Sequence, residues 1–218
     1  MDSAQALALG ASALLGYLIG SVNFAVIVAR RRGVDILQAG SGNPGATNVK
    51  RVLGKGPGNL VFALDALKGA AGAWFPALLV AWATQSAPSF DTQAAGFVGA
   101  LLGHCFSCFL GFKGGKGVAS TIGGLLVLLP APILVGAALW AAVFLLSRYV
   151  SLASLVLGFS LPLSCWLLPQ VTPLAFGPAE FWFAGALAAF NTWTHRSNIG
   201  RLLRGEESRF SRDKGGAR

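Results

Sequence analysis

The stretch 117-GVASTIGGLLVLLPAPILVGAALWAAVFLLS-147 contains thirty-one residues and no charged side chain. A helix needs about 20 apolar residues to cross a bilayer, so the stretch is too long for one span and too short for two full ones. Proline resists continuing a helix, and two prolines stand near the middle of the stretch. It therefore either crosses the membrane once or forms a hairpin at Pro130-Ala131-Pro132.

The distribution of charges favours the hairpin. With the N-terminus outside, a hairpin puts all 17 Lys and Arg residues on or near the cytoplasmic side and leaves only Asp2, Asp91 and Glu180 outside. A single crossing would instead put Arg148 and the basic tail outside, against the excess of Lys and Arg found in cytoplasmic loops. The first arm, Val118 to Leu129, is then a short helix of about 18 Å that neighbouring helices must shield from lipid.

The composition is that of an integral membrane protein. Of 218 residues, 54% are hydrophobic and only 11% are charged, whereas soluble domains carry about 25% charged residues. The net charge of +9 lies in short loops between apolar runs, which indicates membrane topology and anionic headgroups rather than nucleic acid. The first apolar run is too long for a cleavable signal peptide. The three cysteines lie within apolar runs and predict no disulfide framework.

The apolar runs predict an all-α polytopic membrane protein, one domain over residues 1–218, with its N-terminus outside and its C-terminus in the cytoplasm. We expect about seven transmembrane helices, some short or broken, with a kink at Pro162. The 29 glycines predict closely packed helices. The predicted segments are Ser3–Ala29, Asn59–Thr84, Thr92–Phe112, the two arms of 117–147, Val150–Leu168 and Ala179–Thr194.

Three polar segments fall on the predicted cytoplasmic side. The first, here called the Asn-Pro loop, is Ser41-Gly42-Asn43-Pro44-Gly45-Ala46-Thr47-Asn48. Its glycines allow backbone N–H groups to approach a ligand, and its short side chains can form hydrogen bonds, so with Lys50 and Arg51 nearby it suits an anion. The alternative is a tight interfacial turn, because Asn-Pro-Gly favours turns.

The second, the double-glycine loop, is Lys113-Gly114-Gly115-Lys116-Gly117, and it leads into a helix predicted from Val118. Free N–H groups at a helix N-terminus, with lysines beside them, suit a phosphate. The loop lacks the G-x-x-x-x-G-K-[ST] pattern of nucleotide-binding proteins. The alternative is a basic loop whose residues are small only for packing.

The third, the His-Asn segment, comprises residues 195–203. His195 and Asn198 are three residues apart, so they share one face of a helix. His195 could bind phosphate or act as a general acid or base, or it could be structural. Within predicted spans, Asp65 and Lys68 can pair with each other, and His104 can bond to a neighbouring helix. Cys105 and Cys108 lack partner ligands for a metal.

Several catalytic classes are disfavoured. The carboxylates on the cytoplasmic side are scattered, which argues against a metal-dependent phosphatidyltransferase. The chain has neither a Gly-x-Ser-x-Gly elbow nor the His-x-x-x-x-Asp pair of common glycerolipid acyltransferases. A site without metal or cofactor, with several anion cradles facing lipid and cytosol, suggests a substrate with phosphate groups and a fatty chain. The alternatives are a carrier for organic phosphate anions, although carriers favour repeats and midplane sites, and a non-catalytic scaffold.

The three segments resemble the cytoplasmic motifs of the bacterial acyl-phosphate:glycerol-3-phosphate acyltransferases, the PlsY family. Four further stretches resemble the family in the same order: Gly16–Ser21, Asp65–Gly69, Gly103–His104 and Arg148–Ser151. The resemblance implies acyl transfer from acyl phosphate to the sn-1 hydroxyl of glycerol 3-phosphate, giving lysophosphatidic acid and phosphate. It implies a multi-pass protein of the bacterial inner membrane, seven helices, a cytoplasmic site, no acyl-CoA and no metal, and it favours a monomer.

The resemblance also suggests roles for particular residues. We expect Ser41, Lys116 and His195 to be catalytic, while the base is either His195 or an oxygen of the acyl phosphate itself. The remaining substrate-binding candidates are Gly42, Thr47, Asn48, Arg51, Gly114, Gly115, Ser151 and Asn198. The sequence departs from the family pattern at Asn23, Ala25, Ser197 and Gly200, so no role is assigned to these positions.

Overall fold

The computed structural model describes residues 3–210, and over this range the chain is helical apart from short connections. Asp2 and the charged residues of 211–218, which entered the charge count, lie outside the described residues. The prediction of an all-α protein is confirmed for the described part. Its helices are α1 (Ser3–Ser21), α2 (Phe24–Arg30), α3 (Ala46–Leu53), α4 (Lys55–Thr84), α5 (Phe90–Cys105), α6 (Val118–Leu128), α7 (Pro130–Ser147), α8 (Val150–Val171), α9 (Pro178–Thr194) and α10 (Arg196–Leu203), with a 3₁₀ turn at Cys108–Leu110.

Four helical stretches in the described range are long and apolar enough to cross a membrane: Ser3–Arg30, Lys55–Thr84, Pro130–Ser147 and Val150–Val171. The apolar helix α6 is shorter, with 11 residues, and α5 and α9 have 16 and 17. These seven segments correspond to the predicted ones, except that the helix predicted to reach Phe112 ends at Cys105. The number of complete crossings stays a prediction.

The uncharged stretch 117–147 is divided where the prolines predicted it. Helix α6 ends at Leu128, and α7 begins at Pro130. Leu129 leaves the helical conformation with φ −138° and ψ 65° because the ring of a following proline disfavours helical backbone. The first arm is therefore the short helix that the sequence predicted.

The described residues form two compact units, 3–130 and 131–210. In the first unit, α1 and α4 pack against α5, and α4 also packs against α3 and α6. Glycines make the closest approaches: a side chain at Gly16 would meet the Gly96 carbonyl, and one at Gly69 would meet the Ser120 carbonyl. The predicted close packing through small residues is thus observed between α1 and α5 and between α4 and α6.

In the second unit, α8 packs against α9, and α10 contacts both. Polar side chains join these helices. Asn191 Nδ2 donates to the Ser154 carbonyl (2.9 Å), and Trp140 Nε1 on α7 donates to Ser154 Oγ (3.2 Å). Helix α8 continues through Pro162.

The predicted span Ser3–Ala29 corresponds to the apolar stretch Ser3–Arg30, but the helix breaks within it at Val22 and Asn23. Asn23 is the N-cap of α2, and its Oδ1 accepts a hydrogen bond from Val26 N–H (3.0 Å). An asparagine in extended backbone satisfies a donor that the helix start would leave unpaired. The break, Ser21-Val22-Asn23, becomes an attachment point for the polar loops described next.

Candidate functional site

The Asn-Pro loop is organised around the side chain of Asn48, which is 1% exposed. Its Oδ1 accepts from the Ser41 N–H (2.9 Å), and its Nδ2 donates to the carbonyls of Ala39 (2.9 Å) and Ile36 (3.3 Å). Both amide protons are therefore used by the loop backbone. Direct binding of phosphate by Asn48 stays a prediction, but its observed contacts give it a clear role in shaping the loop.

The other candidates in this region lie around that asparagine. Ser41 is exposed, and Gly42 has the left-handed φ of 68°, where a side chain would be strained. Thr47 and Arg51 belong to α3, a helix that begins within the Asn-Pro loop and is not among the predicted segments. Helix α3 begins after Gly45 without a side-chain cap, so N–H groups of its first turn face the loop. The structure thus brings Ser41, Gly42, Thr47 and Asn48 into one loop and helix start.

The double-glycine loop rests on the C-terminal end of α5. Gly115 N–H donates to the His104 carbonyl (3.0 Å), and a side chain at Gly114 would meet the carbonyls of His104 and Cys105. The loop then passes Lys116, which is half-buried, and enters α6 through Gly117 at φ 83° without a side-chain cap. An uncapped first turn directly after a lysine suits an anion, so binding of phosphate here stays a prediction.

Both loops are attached to the break between α1 and α2. Asn23 Nδ2 lies 3.5 Å from the Pro44 carbonyl of the Asn-Pro loop. Ser107, whose backbone pairs with Lys113 at the start of the double-glycine loop, donates from Oγ to the Ser21 carbonyl (2.6 Å). Leu110 also packs against the apolar cluster that contains Val49 of α3. The first unit therefore attaches the Asn-Pro loop and the double-glycine loop to one break between helices.

The His-Asn segment lies in the second unit. His195 is 3% exposed and occupies the junction between α9 and α10. Its Nδ1 lies 2.9 Å from the Asn191 carbonyl and 3.3 Å from Thr194 Oγ. A carbonyl can only accept, so Nδ1 carries the proton and Nε2 of neutral His195 is the acceptor nitrogen. A general base at this position would need that tautomer, because its Nε2 can accept a proton.

Ser151 and Asn198 converge on a carboxylate that the sequence reasoning had not singled out. Glu207 Oε1 accepts from Ser151 Oγ (2.8 Å) and Asn198 Nδ2 (2.7 Å), and Oε2 accepts from Arg201 Nε (2.7 Å). Burial raises the pKa of Glu207, but these hydrogen bonds and the Arg201 charge outweigh it and hold the pKa below its ordinary value. Ser151 and Asn198 thus already surround an anion. The signal that could have pointed to Glu207 is Gly205, whose φ of 72° turns the chain back.

The candidates are divided between the two units. Ser41, Gly42, Thr47, Asn48, Arg51, Gly114, Gly115 and Lys116 belong to residues 3–130, and Ser151, His195 and Asn198 to residues 131–210. The convergence of all three polar segments on one site stays a prediction.

Comparison with known proteins gives a consistent result. A family model described as glycerol-3-phosphate acyltransferase matches residues 10–205. The chain is 40% identical over 199 residues to the glycerol-3-phosphate acyltransferase of Aquifex aeolicus (strain VF5), covering 90% of this chain and 96% of that one. It is 43% identical over 201 residues to the enzyme of that name from Myxococcus xanthus (strain DK1622), covering 90% and 97%.

Solved structures agree with the sequence relatives. The crystal structure of PlsY (YgiH), an integral membrane glycerol 3-phosphate acyltransferase, in its glycerol 3-phosphate form is 38% identical, with a TM-score of 0.77 and coverage of 96% of both chains. The form of that protein with lysophosphatidic acid gives a TM-score of 0.75 at the same identity and coverage.

Proposed function

Since the chain belongs to the glycerol-3-phosphate acyltransferase family, we propose that it transfers a fatty acyl group from acyl phosphate to the sn-1 hydroxyl of glycerol 3-phosphate. The products are lysophosphatidic acid and inorganic phosphate. That the chain is an integral-membrane acyltransferase follows from the family itself. The proposal that the donor is an acyl phosphate is supported mainly by one observation. Two loops suited to anions are attached to the same break between α1 and α2.

The reaction needs little covalent chemistry from the protein. An acyl phosphate is a mixed anhydride, so the glycerol 3-phosphate hydroxyl oxygen can attack its carbonyl carbon directly. The bond from that carbon to the phosphate oxygen then breaks, and phosphate leaves with the electron pair. The enzyme must position the two anions so that the hydroxyl oxygen meets the carbonyl carbon, and it must stabilise the charge that develops on the leaving phosphate.

The described residues suit those tasks. We assign Ser41, Gly42 and Thr47, shaped by Asn48, together with Gly114, Gly115 and Lys116, to cradling phosphate. We assign Arg51, Lys116, His195 and Asn198, with Ser151, to holding glycerol 3-phosphate. Because Asn198 and Ser151 donate to Glu207 Oε1, they must exchange that carboxylate for the substrate's phosphate. The hydroxyl proton goes either to His195 Nε2 or to an oxygen of the acyl phosphate, and these two alternatives remain open.

The acyl chain needs an apolar surface next to the double-glycine loop. Leu67, Ala70, Ala71, Trp74, Phe75 and Val127 line an apolar groove of about 550 Å³ between α4 and α6. Its residues on α4 flank Gly69, which approaches Ser120 of α6, and its residue on α6 is Val127, near the end of that helix. From residue 67 to residue 75 α4 advances about 12 Å. We propose that the donor's chain lies in this groove.

Narrowing the groove should change the chain-length preference. Ala71→Phe places a ring in the groove, so we expect the ratio of kcat/KM for hexadecanoyl phosphate to that for octanoyl phosphate to fall at least tenfold. Initial rates of phosphate release with each donor measure it. Leu79→Phe, at an exposed position on the same helix, is the control and should keep the wild-type ratio. An unchanged ratio in Ala71→Phe would place the chain elsewhere.

We also propose that the protein is a monomer in the bacterial inner membrane, with seven spans and with its site facing the cytoplasm. The charge distribution supports this orientation. Purified protein in detergent, supplied with acyl phosphate and glycerol 3-phosphate, tests the function. Phosphate release that requires both substrates supports an acyltransferase, whereas uptake into liposomes without release supports a carrier.

A further inference from the structure

Three titratable side chains of the first unit are buried together inside the predicted membrane region. Asp65, Lys68 and His104 are 2%, 4% and 4% exposed. Lys68 Nζ lies 2.9 Å from Asp65 Oδ1, and His104 Nδ1 lies 3.7 Å from the same oxygen. The predicted pairing of Asp65 with Lys68 is confirmed. Ionisable groups inside a membrane are costly and usually serve a function, and the proposed chemistry does not use these three.

The cluster is fixed to the break between α1 and α2. Lys68 Nζ donates to the Val22 carbonyl (2.7 Å) and lies 5.6 Å from the centre of the Phe24 ring. The lysine therefore connects the break to α4, and through Asp65 it connects the break to His104 at the end of α5. A buried ammonium with a carboxylate, a carbonyl and an aromatic face around it has little freedom to move.

His104 contacts the double-glycine loop in two ways. Its carbonyl accepts the Gly115 N–H (3.0 Å). Its ring lies against Gly115 so closely that a methyl group there would meet Nε2, Cε1 and Cδ2. Gly115 is buried, and its φ lies outside the left-handed region, so contact with the ring rather than backbone strain excludes a side chain. The imidazole of His104 thus packs directly against Gly115 of the double-glycine loop.

We propose that His104 is a positioning residue for the phosphate cradle, held in place by the Asp65–Lys68 pair, and that it acts by the volume of its ring beneath Gly115. This inference rests on the proposed function, because the cradle is assigned there to phosphate. The ring limits how closely Gly115 approaches the end of α5, and Asp65 Oδ1 lies 3.7 Å from Nδ1 at the opposite edge of the ring. A loop displaced by about 1 Å can lose about 100-fold in rate.

A pair of complementary substitutions tests the role. His104→Ala removes the ring that supports Gly115, and Gly115→Ala adds a methyl group that clashes with that ring. Each variant should therefore lower kcat/KM for glycerol 3-phosphate at least tenfold. In the double variant the methyl group enters the space left by the imidazole. We expect its kcat/KM to be at least threefold above either single variant. Gly56→Ala, where an added methyl group meets nothing within 4 Å, should stay within about twofold of wild type.

Each outcome decides the question. If His104→Ala lies within threefold of wild type, or if the double variant is no better than the better single variant, positioning by ring volume is overturned. If His104→Ala cannot be purified as a monodisperse protein in detergent, the double variant decides. A double variant that is monodisperse and more active than Gly115→Ala supports the proposal, and any other result for the double variant overturns it. If the wild-type protein releases no phosphate, both the proposed function and the role of His104 are overturned. If the wild-type protein is active, the variants test the role of His104 alone.

Discussion

Lys116→Ala should lower kcat/KM by a factor of about 10² to 10³, since removing one preorganised group that stabilises transition-state charge has an effect of that size. Lys116 is half-buried between two buried glycines, immediately before the uncapped first turn of α6. This position in the chain, next to the helix N-terminus, is the reason for assigning Lys116 to the leaving phosphate. Phosphate release from acyl phosphate, with glycerol 3-phosphate varied, measures the change.

Lys113→Ala is the matched control for that variant. Lys113 is in the same loop, but its side chain is exposed and only its backbone pairs with Ser107. We expect it to stay within about threefold of wild type. If Lys116→Ala kept more than a tenth of wild-type kcat/KM, or if both lysine variants lost activity equally, a specific role for Lys116 on the leaving phosphate would be excluded.

Asn48→Ala should lower kcat/KM about 100-fold and expose the preceding loop to protease. The substitution removes three hydrogen bonds, from the Ser41 N–H and to the carbonyls of Ala39 and Ile36. It leaves the carbonyl of the buried Ile36 without this partner, which costs about 1–3 kcal/mol. The backbone that presents Ser41 and Gly42 should therefore loosen. Limited trypsin digestion at Arg30–Arg32, together with kinetics, measures both effects.

The protease result separates two roles for Asn48. If Asn48 only binds phosphate, activity falls but the rate of cleavage stays that of wild type. If it organises the loop, cleavage accelerates along with the loss of activity. Asn59→Ala is the control, because Asn59 is exposed and its Oδ1 accepts a hydrogen bond from Lys50 Nζ (3.2 Å) at the surface, away from the Asn-Pro loop backbone.

Hydropathy and charge predicted the apolar helices well because a bilayer imposes length and charge rules that act on local sequence. The division at Leu129 followed from two prolines and the charges on either side. The break at Val22 and Asn23 was not predictable in this way, because no charge or proline marks it. It is held by contacts from Pro44, Lys68 and Ser107, which are distant in sequence.

The candidate site was predictable to a similar degree. The polar loops were apparent from glycine, lysine and short polar residues, but the sequence did not show that α3 starts inside the first of them. That helix buries Val49 in the apolar cluster, a tertiary effect. Glu207 was also missed, since it meets Ser151 across 56 residues of sequence. A lone carboxylate in a polar tail looks solvated until its partners are placed around it.

A comparison of acyl donors tests the proposed function most directly. Purified protein in detergent is given glycerol 3-phosphate with hexadecanoyl phosphate or with hexadecanoyl-CoA, and lysophosphatidic acid and the released group are quantified. We predict lysophosphatidic acid and an equal amount of phosphate from the acyl phosphate, only when glycerol 3-phosphate is present, and none from acyl-CoA. Product from acyl-CoA at a comparable rate, or none from acyl phosphate, would contradict the account.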